Sequence, residues 1–520
     1  MLKILAWIVS NDSRYFNAAL NILARQHNGV DIVAVTANTP INLASNGKKI
    51  PFVPLAEASS VEYDFVLVIG AKQIGMTAIN NVVNQLKFPT EKILPDFVVS
   101  AHSFTIEKYL NNLLPLEKIF ASEADFKLFV QLQNMGIKTL LDVDAHFAKG
   151  QRFTKIGNDL TDIDCIAEEP IYPLKENFYR RIYKNLSEVG YRHYAVAIIE
   201  VKTQTDFIAK FNLLENISDM IILYVSASSE LQKFIPANGK LFTEVKNLPT
   251  ELGNWFIITR KKKPEDFAMY VVTHKKTPQY GKLLSEGYKI IHAGRALGED
   301  LGYLGDNTGD NISELNPYLN EVTALYWMWK NTSHTVIGLC HYRRFFSKSK
   351  ISNSGFDVVL KKEFVLEHYD WILDKESALK ILQDYDIITV FQEMQNTVHE
   401  TIVMFNGEKL AELGEAVTQK YLLKYQPDYL DAFDFVFRSY NHHRCQMIVT
   451  RRDIFDAYCK WLFSFIIDAT NEILGIVDLK SIPGNPHRIM AYMAEMMLSV
   501  WMLKTNLQTK ELNSIHIAGI

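Results

Sequence analysis

"GLCHYRRFF", residues 338–346, closes an apolar run that begins at Thr335 and places a histidine, a tyrosine and two arginines at its end. A short apolar run bounded by polar residues reads as a buried strand. In an open α/β sheet, ligands gather beyond the carboxyl ends of the strands. Arg343 and Arg344 carry planar forks that match phosphate oxygens, and two of them neutralise a diphosphate. The competing reading is an arginine pair facing solvent or paired with a neighbouring helix.

The surrounding pattern supports a sheet. "AMYVVTHKK" (268–276) and "YKIIHAG" (288–294) read as strands, followed by the polar loop 297–315 and the helix "NPYLNEVTALYWMWKN" (316–331). Asn316 is placed to cap that helix and Pro317 to occupy its first position. Leu319, Val322, Thr323 and Tyr326 recur at helical spacing. Helix 375–385, strands 386–391 and 445–450, helix 452–469 and a closing helix 485–503 complete the segment. His274, Lys275 and Lys276 end the first strand, so if it neighbours strand 335–346 in parallel, two cationic clusters face one crevice.

Two α/β segments precede it. Residues 2–145 alternate β-branched runs with helical stretches, as parallel βαβ units do. A Rossmann-like domain over 1–150 is expected, but the turn after the first strand, "SNDSRYF", lacks the glycines of a dinucleotide loop. "GAKQIG" (70–75) lacks the Lys-Ser/Thr ending of a phosphate loop. The second segment, 151–265, reads as helix 175–190 and strands 194–201, 219–227 and 254–259. The cationic stretch "RKKKPEDF" (260–267) marks a boundary, leaving 266–520 as the third domain.

Bulk properties narrow the function. The chain has 520 residues, 48% hydrophobic and 22% charged, with a formal net charge of -4. No global basic field exists to hold nucleic acid. Cys165, Cys340, Cys445 and Cys459 show no C-x-x-C spacing, which fits a reducing cytoplasm. The opening "MLKILAWIVS" reads as a strand rather than a signal peptide. The apolar stretches near the end are interrupted by Asp468, Glu472 and Glu495, so no membrane span is expected, while peripheral attachment stays open.

Other candidates come from local chemistry. The loop "DNTGDNIS" (306–313) offers Asp306, Asp310 and Asn311 as acceptors for ribose or sugar hydroxyls, against a turn that only caps a helix. "DYD" (384–386) has a metal-binding spacing but starts a strand, at the wrong edge of a parallel sheet. His442 and His443 are neighbours in a strand and point to opposite faces, which disfavours a shared metal. Glu495 shares a helix face with Arg488 and Ala491 among Met493, Met496, Met497 and Trp501. Burial there predicts a raised pKa suited to a general base, with a buried arginine ion pair as the alternative.

The stretch 299–346, with "IFDAYCKWLF" and the Arg488 to Glu495 spacing, resembles the signature of a bacterial domain-of-unknown-function family. Its members sit in capsule, exopolysaccharide and lipopolysaccharide biosynthesis and are regarded as glycosyltransferases. The resemblance covers residues 268–505; weaker similarity at 30–40 and 64–76 points to a Rossmann-type domain fused to such transferases. It implies an α/β chain with a GT-A-like nucleotide-sugar domain in which His341-Tyr342-Arg343 stands where that fold usually carries a metal-binding D-x-D. By this reading no cofactor or resident metal is required. Thr273, His274 and Lys275 cradle the nucleotide, Asp306, Asp310 and Asn311 hold hydroxyls, and His341, Arg343 and Arg344 bind the diphosphate of a UDP-sugar or similar donor. Glu495, partnered by Arg488, activates a saccharide or lipid-linked glycan acceptor, and Gln446 stands among the acceptor contacts. Gln446-Met447-Ile448 departs from the family's Asn-Met-Phe, and Ala491 and Met496 replace the usual Gly and Arg beside the late glutamate. A sugar-nucleotide-modifying enzyme and a non-catalytic assembly scaffold are the other readings.

Overall fold

The computed structural model describes residues 2–26, 30–41, 43–45, 48–70, 76–86, 88, 92–95, 128, 131–132, 134–137, 139–143, 162–167, 181–215, 217–226, 231, 242–249, 253–260, 266–277, 287–348, 358–394, 396–482, 486–505 and 507–518. Three main sheets succeed one another along the chain. In the first, β1 (Leu2–Ile8), β2 (Val30–Ala37), β3 (Phe52–Pro54), β4 (Phe65–Ile69) and β5 (Ile93–Pro95) lie in the order β3-β2-β1-β4-β5, all parallel. Ile4 to Ile8 are all buried, as both faces of a parallel sheet require. Helix α1 (Ser13–Gln26) buries Tyr15, Phe16, Ala19, Leu20 and Leu23 at helical spacing, and α2 (Met76–Leu86) and α3 (Gln204–Leu213) follow along the chain.

The second sheet orders β6 (Thr139–Asp142), β7 (Asp162–Ile166), β8 (Arg181–Tyr183), β9 (Val196–Glu200), β10 (Met220–Ser226), β11 (Phe242–Pro249) and β12 (Gly253–Arg260) as β8-β7-β6-β9-β10-β12-β11. β12 alone runs against the others, pairing antiparallel with both of its neighbours, β10 and β11. Two expectations are corrected here. The break between first and second sheets falls before residue 139 rather than at 150, because β6 pairs with both β7 and β9. Within the expected helix 175–190, Arg181–Tyr183 is a strand and Leu186–Val189 a single 3-10 turn. The Asn185 carboxamide accepts from Ser187 N at 3.1 Å, and Gly190 at φ 66° turns the chain away, so a helix has neither start nor continuation there. The β-branched run 97–101, part of the alternating pattern over 2–145, and residues 261–265 of the cationic connector lie outside the described residues.

The third sheet has ten strands. β13 (Phe267–Thr273), β14 (Tyr288–His292), β15 (Leu304–Gly305) and β16 (Val336–His341) form a parallel core in the order β15-β14-β13-β16. β16 then adjoins β17 (Arg344–Phe346), which leads through β22 (Ser514–Ala518) to β18 (Val358–Lys361). It also pairs antiparallel with β20 (Asn441–Arg451), which joins β19 (Ile387–Glu393) and, through it, β21 (Thr509–Leu512). All seven residues of β13 are buried. Their side chains alternate: Ala268, Tyr270 and Val272 enter one core, while Phe267, Met269 and Val271 enter the other. Gly338 in β16 is required, since a Cβ there meets Met269 Sδ at 2.7 Å and Ile448 O at 3.1 Å.

Helices cover the first of those cores: α4 (Asn316–Leu319), α5 (Val322–Asn331), α8 (Val398–Asn406), α9 (Glu408–Tyr425), α10 (Leu430–Arg438), α11 (Arg452–Phe463), α12 (Ile466–Ile476) and α13 (Ile489–Thr505). The short α6 (Lys362–Glu367) and α7 (Lys375–Ile381) cover the other. The central α13, which buries thirteen of its seventeen residues, is apolar all round because it packs between α9, α10, α11 and β20. Among the described residues no helix is long and apolar enough to cross a membrane.

The domains are joined by side chains. Tyr15 of α1 stacks on Phe435 of α10 at 5.5 Å, Arg14 donates to Asp434 at 2.6 Å, and Arg438 pairs with Asp12 at 3.2 Å. Asp386, from the "DYD" stretch, is fully buried at the amino-terminal edge of β19. Its carboxylate accepts from His193 N at 2.7 Å, Gln508 N at 2.8 Å and Arg451 at 3.2 Å, so it clamps the second sheet to the third. Replacing it leaves buried donors and a cation unanswered. Asp386→Ala is expected to cost about 3 kcal/mol or more of unfolding free energy, measured as a shift in urea midpoint at constant slope; a cost under about 1 kcal/mol would contradict the clamp.

Candidate active site

A cavity of about 850 Å³ opens beyond the carboxyl ends of β13, β14 and β16. Its floor follows from the strand order. The parallel pairing of β13 with β16 puts Thr273-His274 beside His341-Tyr342, and Tyr342 N extends the pairing by donating to Val272 O at 3.0 Å. The two clusters expected to face one crevice do so. Arg343 and Arg344 line it, with Arg444 from β20 and Arg488 at the start of α13. The first turn of this 17-residue helix also borders the space through Ala491 and Tyr492, and the dipole of a helix amino terminus favours an anion.

The imidazoles are not part of that positive charge. His341 Nε2 donates to Cys445 O at 2.7 Å, and burial pulls its pKa down to about 4, helped by Arg344. Burial and the cations Lys275, Arg488 and Arg343 lower that of His274 as well. Burial and Arg444 lower His442 to about 3. The expectation that His341 serves as a cation is corrected: it is a neutral donor that fixes backbone, and four arginines carry the charge.

β20 is distorted where it crosses the cavity. Cys445 and Gln446 have φ of 59° and 52°, an uncommon left-handed pair of non-glycine residues, and the register with β19 shifts there. The bulge directs Cys445 N to Glu495 Oε1 at 2.8 Å and Cys445 O to His341. It also turns Gln446 inward. That carboxamide donates to Ala494 O at 2.5 Å and accepts from Tyr458 OH at 2.6 Å, fully buried, so Gln446 is a strut and not an acceptor contact. His442 lines the cavity, while His443 meets Ser499 and Glu511 on the other side, the opposed orientation expected of strand neighbours.

Two carboxylates share the cavity. Glu495 has its pKa raised by burial and then by the charge of Glu321, opposed by the Cys445 amide and Arg444. The raised value expected for Glu495 is present, but its arginine neighbour is Arg444; Arg488 acts on Glu321. Glu321 was not legible as a site residue. It sits at a break in the expected helix 316–331, where Asn320 takes φ 48° between α4 and α5. Asn316 locks the break: its Nδ2 donates to Asn320 O at 2.7 Å and Thr323 Oγ1 at 3.1 Å, so it braces the turn from inside instead of capping from outside. Burial pushes Glu321 up to about 7 against the pull of Arg488 and Arg344. The one sequence signal was a lone acid within an apolar helical run.

The polar loop does other work. Asp306 is fully buried and receives Gly294 N, Arg295 N, Ser313 Oγ and Thr323 Oγ1, at 2.5 to 3.1 Å. With both oxygens engaged it anchors the loop and α5, and has no place for a ligand hydroxyl. Gly294, at φ 73°, permits this approach, since a Cβ would lie 2.5 Å from Asn316 Oδ1. Asp310 accepts from Tyr326 OH at 3.0 Å, and Asn311 closes its own turn through Gly309 O and Ser313 N. All three lie outside the cavity lining. Thr273 lines it but spends its hydroxyl on Lys275 O at 2.6 Å, and Lys275 lies behind, its ammonium 5.0 Å from the Tyr342 ring centre. Cys445 is no nucleophile, as burial raises its thiol to about 12.

Comparison with known proteins matches residues 268–506 to the profile of DUF4422, a domain of unknown function. No curated protein is similar to the chain. The apo structure of WbbM, a bifunctional glycosyltransferase, is 22% identical with a TM-score of 0.41 over 49% of this chain and 46% of its own, so less than half of that protein is spanned. A putative RNA methyltransferase from Pyrococcus horikoshii is 14% identical (TM-score 0.19, 30% of this chain, 96% of its own). The putative methyltransferase yhhF from Escherichia coli is 15% identical (TM-score 0.21, 29% and 92%).

Glu321 makes a testable contribution to stability. Its folded pKa of about 7 exceeds its ordinary 4.5, so between those values the folded state holds more protons than the unfolded one. Stability therefore falls as pH rises through that window. In paired melting curves from about pH 4.5 to pH 8, wild type is expected to lose ground steadily to Glu321→Gln; parallel curves would refute a buried acid at this position.

Proposed function

We propose that the chain is a glycosyltransferase that moves a hexose from a nucleoside-diphosphate donor, a UDP-sugar first among candidates, to a saccharide or lipid-linked glycan acceptor. The single observation that carries this is the convergence of Arg343, Arg344, Arg444 and Arg488 on one cavity at the carboxyl ends of parallel strands. Four fixed cations against two acids suit a ligand with two or more negative charges. The resemblance of residues 268–505 to polysaccharide transferases supplies the class of reaction, a GT-A-like fold for this domain, and a setting at the inner face of the bacterial plasma membrane in surface polysaccharide synthesis.

In this reading the acceptor hydroxyl oxygen forms a bond to the anomeric carbon while the bond from that carbon to the diphosphate oxygen breaks. The proton passes to Glu495, whose basicity is raised by burial and by the charge of Glu321. The diphosphate leaves with added negative charge, which the arginines take up without reorganising. That is the part a metal plays in many such enzymes, so the reading predicts donor binding without a divalent ion. Glu321, beside Arg344 and Arg488, tempers the positive field and holds Glu495 basic. Thr273 and His274 line the same cavity and are the candidates for contacts with the nucleotide.

The test is a thermal-shift panel of UDP-, GDP-, dTDP- and CMP-sugars, with Mn²⁺ or with EDTA, on wild type and Arg343→Ala. One nucleotide should raise the melting temperature in EDTA, with affinity about 10- to 100-fold weaker in the variant, the worth of one charge-assisted contact. Stabilisation only with Mn²⁺ would remove the arginines from the metal's role. No stabilisation by any donor would remove the transferase reading.

A further inference from the structure

One stretch of the cavity lining is aromatic. The end of α8 and the first turns of α13 border the cavity, with Met404 64% and Phe405 53% exposed. Phe405 stacks on Tyr492 with ring centres 5.8 Å apart and planes within 4°. One face of Phe405 is thus backed by a second ring, and its exposure leaves the other turned outward at the entrance. Such a pair is rigid, and its outward π-face carries partial negative charge that attracts polarised C–H groups.

We infer that the Phe405–Tyr492 pair is the acceptor subsite and that its occupant is a sugar ring, stacked by its C–H face on Phe405. This rests on the transferase reading. Three features favour a sugar. Asn396 and Thr401 line the same wall beside the rings and offer hydrogen-bonding groups for hydroxyls around the edge of a pyranose. A hydrocarbon tail has no use for those groups, and of the apolar side chains lining this stretch only Met404 and Phe405 are strongly exposed. Tyr492 stands three residues before Glu495 on α13, on the same helix face, so a saccharide on the platform reaches toward the carboxylate that takes its proton. The subsite also fills a role left open when Gln446 proved to be buried.

The experiment is saturation-transfer-difference NMR on the full chain with methyl pyranosides of glucose, galactose, mannose, rhamnose and N-acetylglucosamine, for wild type, Phe405→Ala and Phe405→Trp. At least one sugar should show transfer concentrated on the protons of one ring face, weakened about tenfold by Phe405→Ala and kept by Phe405→Trp. Phe405 is exposed, so neither variant is expected to disturb the fold, which the melting temperature checks. No Phe405-dependent signal from any sugar overturns the assignment. So does sedimentation with phosphatidylglycerol vesicles that is lost in Phe405→Ala and Met404→Ser, which would make the wall a lipid contact. Nucleotide stabilisation is read separately in each variant: if it stays at wild-type level while the sugar signal disappears, the platform is confirmed. If wild type binds sugars through Phe405 but no nucleotide, the transferase reading fails and the saccharide site stands.

Discussion

Everything at the cavity depends on one short irregularity in β20. An undistorted strand would alternate its side chains and keep its amides in the ladder. At Cys445 and Gln446 the backbone adopts a conformation that costs on the order of 1 kcal/mol or more per residue, and three contacts offset it. Glu495 accepts from the Cys445 amide, His341 Nε2 donates a hydrogen bond to the Cys445 carbonyl, and the Gln446 carboxamide is held between Ala494 and Tyr458. The same contacts fix the carboxylate, orient the histidine and place Arg444 at the cavity. β16, β20 and α13 are locked together at the point where chemistry would occur.

The parallel core was legible because its signals are strong and local. The seven apolar residues of β13 and the run ending in His341 leave few alternatives to buried strands, and their pairing sets the crevice. The boundary near 139, the strand at 181–183 and the break at Asn320 were not legible. The first two depend on pairing between separate segments, β6 with β9 and β8 with β7, and the third on a side chain, Asn316, reaching across a turn to Asn320 and Thr323. Periodicity reports which face is apolar, and it carries no trace of a left-handed residue that happens to be asparagine.

The acidic residues show the same limit from the other side. Asp306, Asp386, Glu321 and Glu495 are alike as residue types, and flanking sequence alone misassigned the first and passed over the third. What separates them is how many donors are aimed at each. Asp306 meets four and Asp386 three, so both are consumed by structure. Glu495 meets one backbone amide, which leaves an oxygen for a proton.

A cavity lined by four arginines would ordinarily hold nearby carboxylates well below their usual pKa. Here both acids move the other way, because burial and their mutual repulsion outweigh the cations. Ionising one makes ionising the second harder, so the pair behaves as a unit that gives up its protons in two steps. An anion entering beside Arg344 and Arg488 would draw on the charges that favour ionised Glu321, and would itself repel a second negative charge. Donor binding would then raise the basicity of both carboxylates, and because the pair loses its protons in two steps, one acid can hold a proton while Glu495 is ionised to act as the base. In the proposed reaction this would bear on the order of events: the carboxylate that would accept the acceptor's proton would become more basic as a donor is seated, because the seated diphosphate would offset the arginine charge that favours the ionised acids.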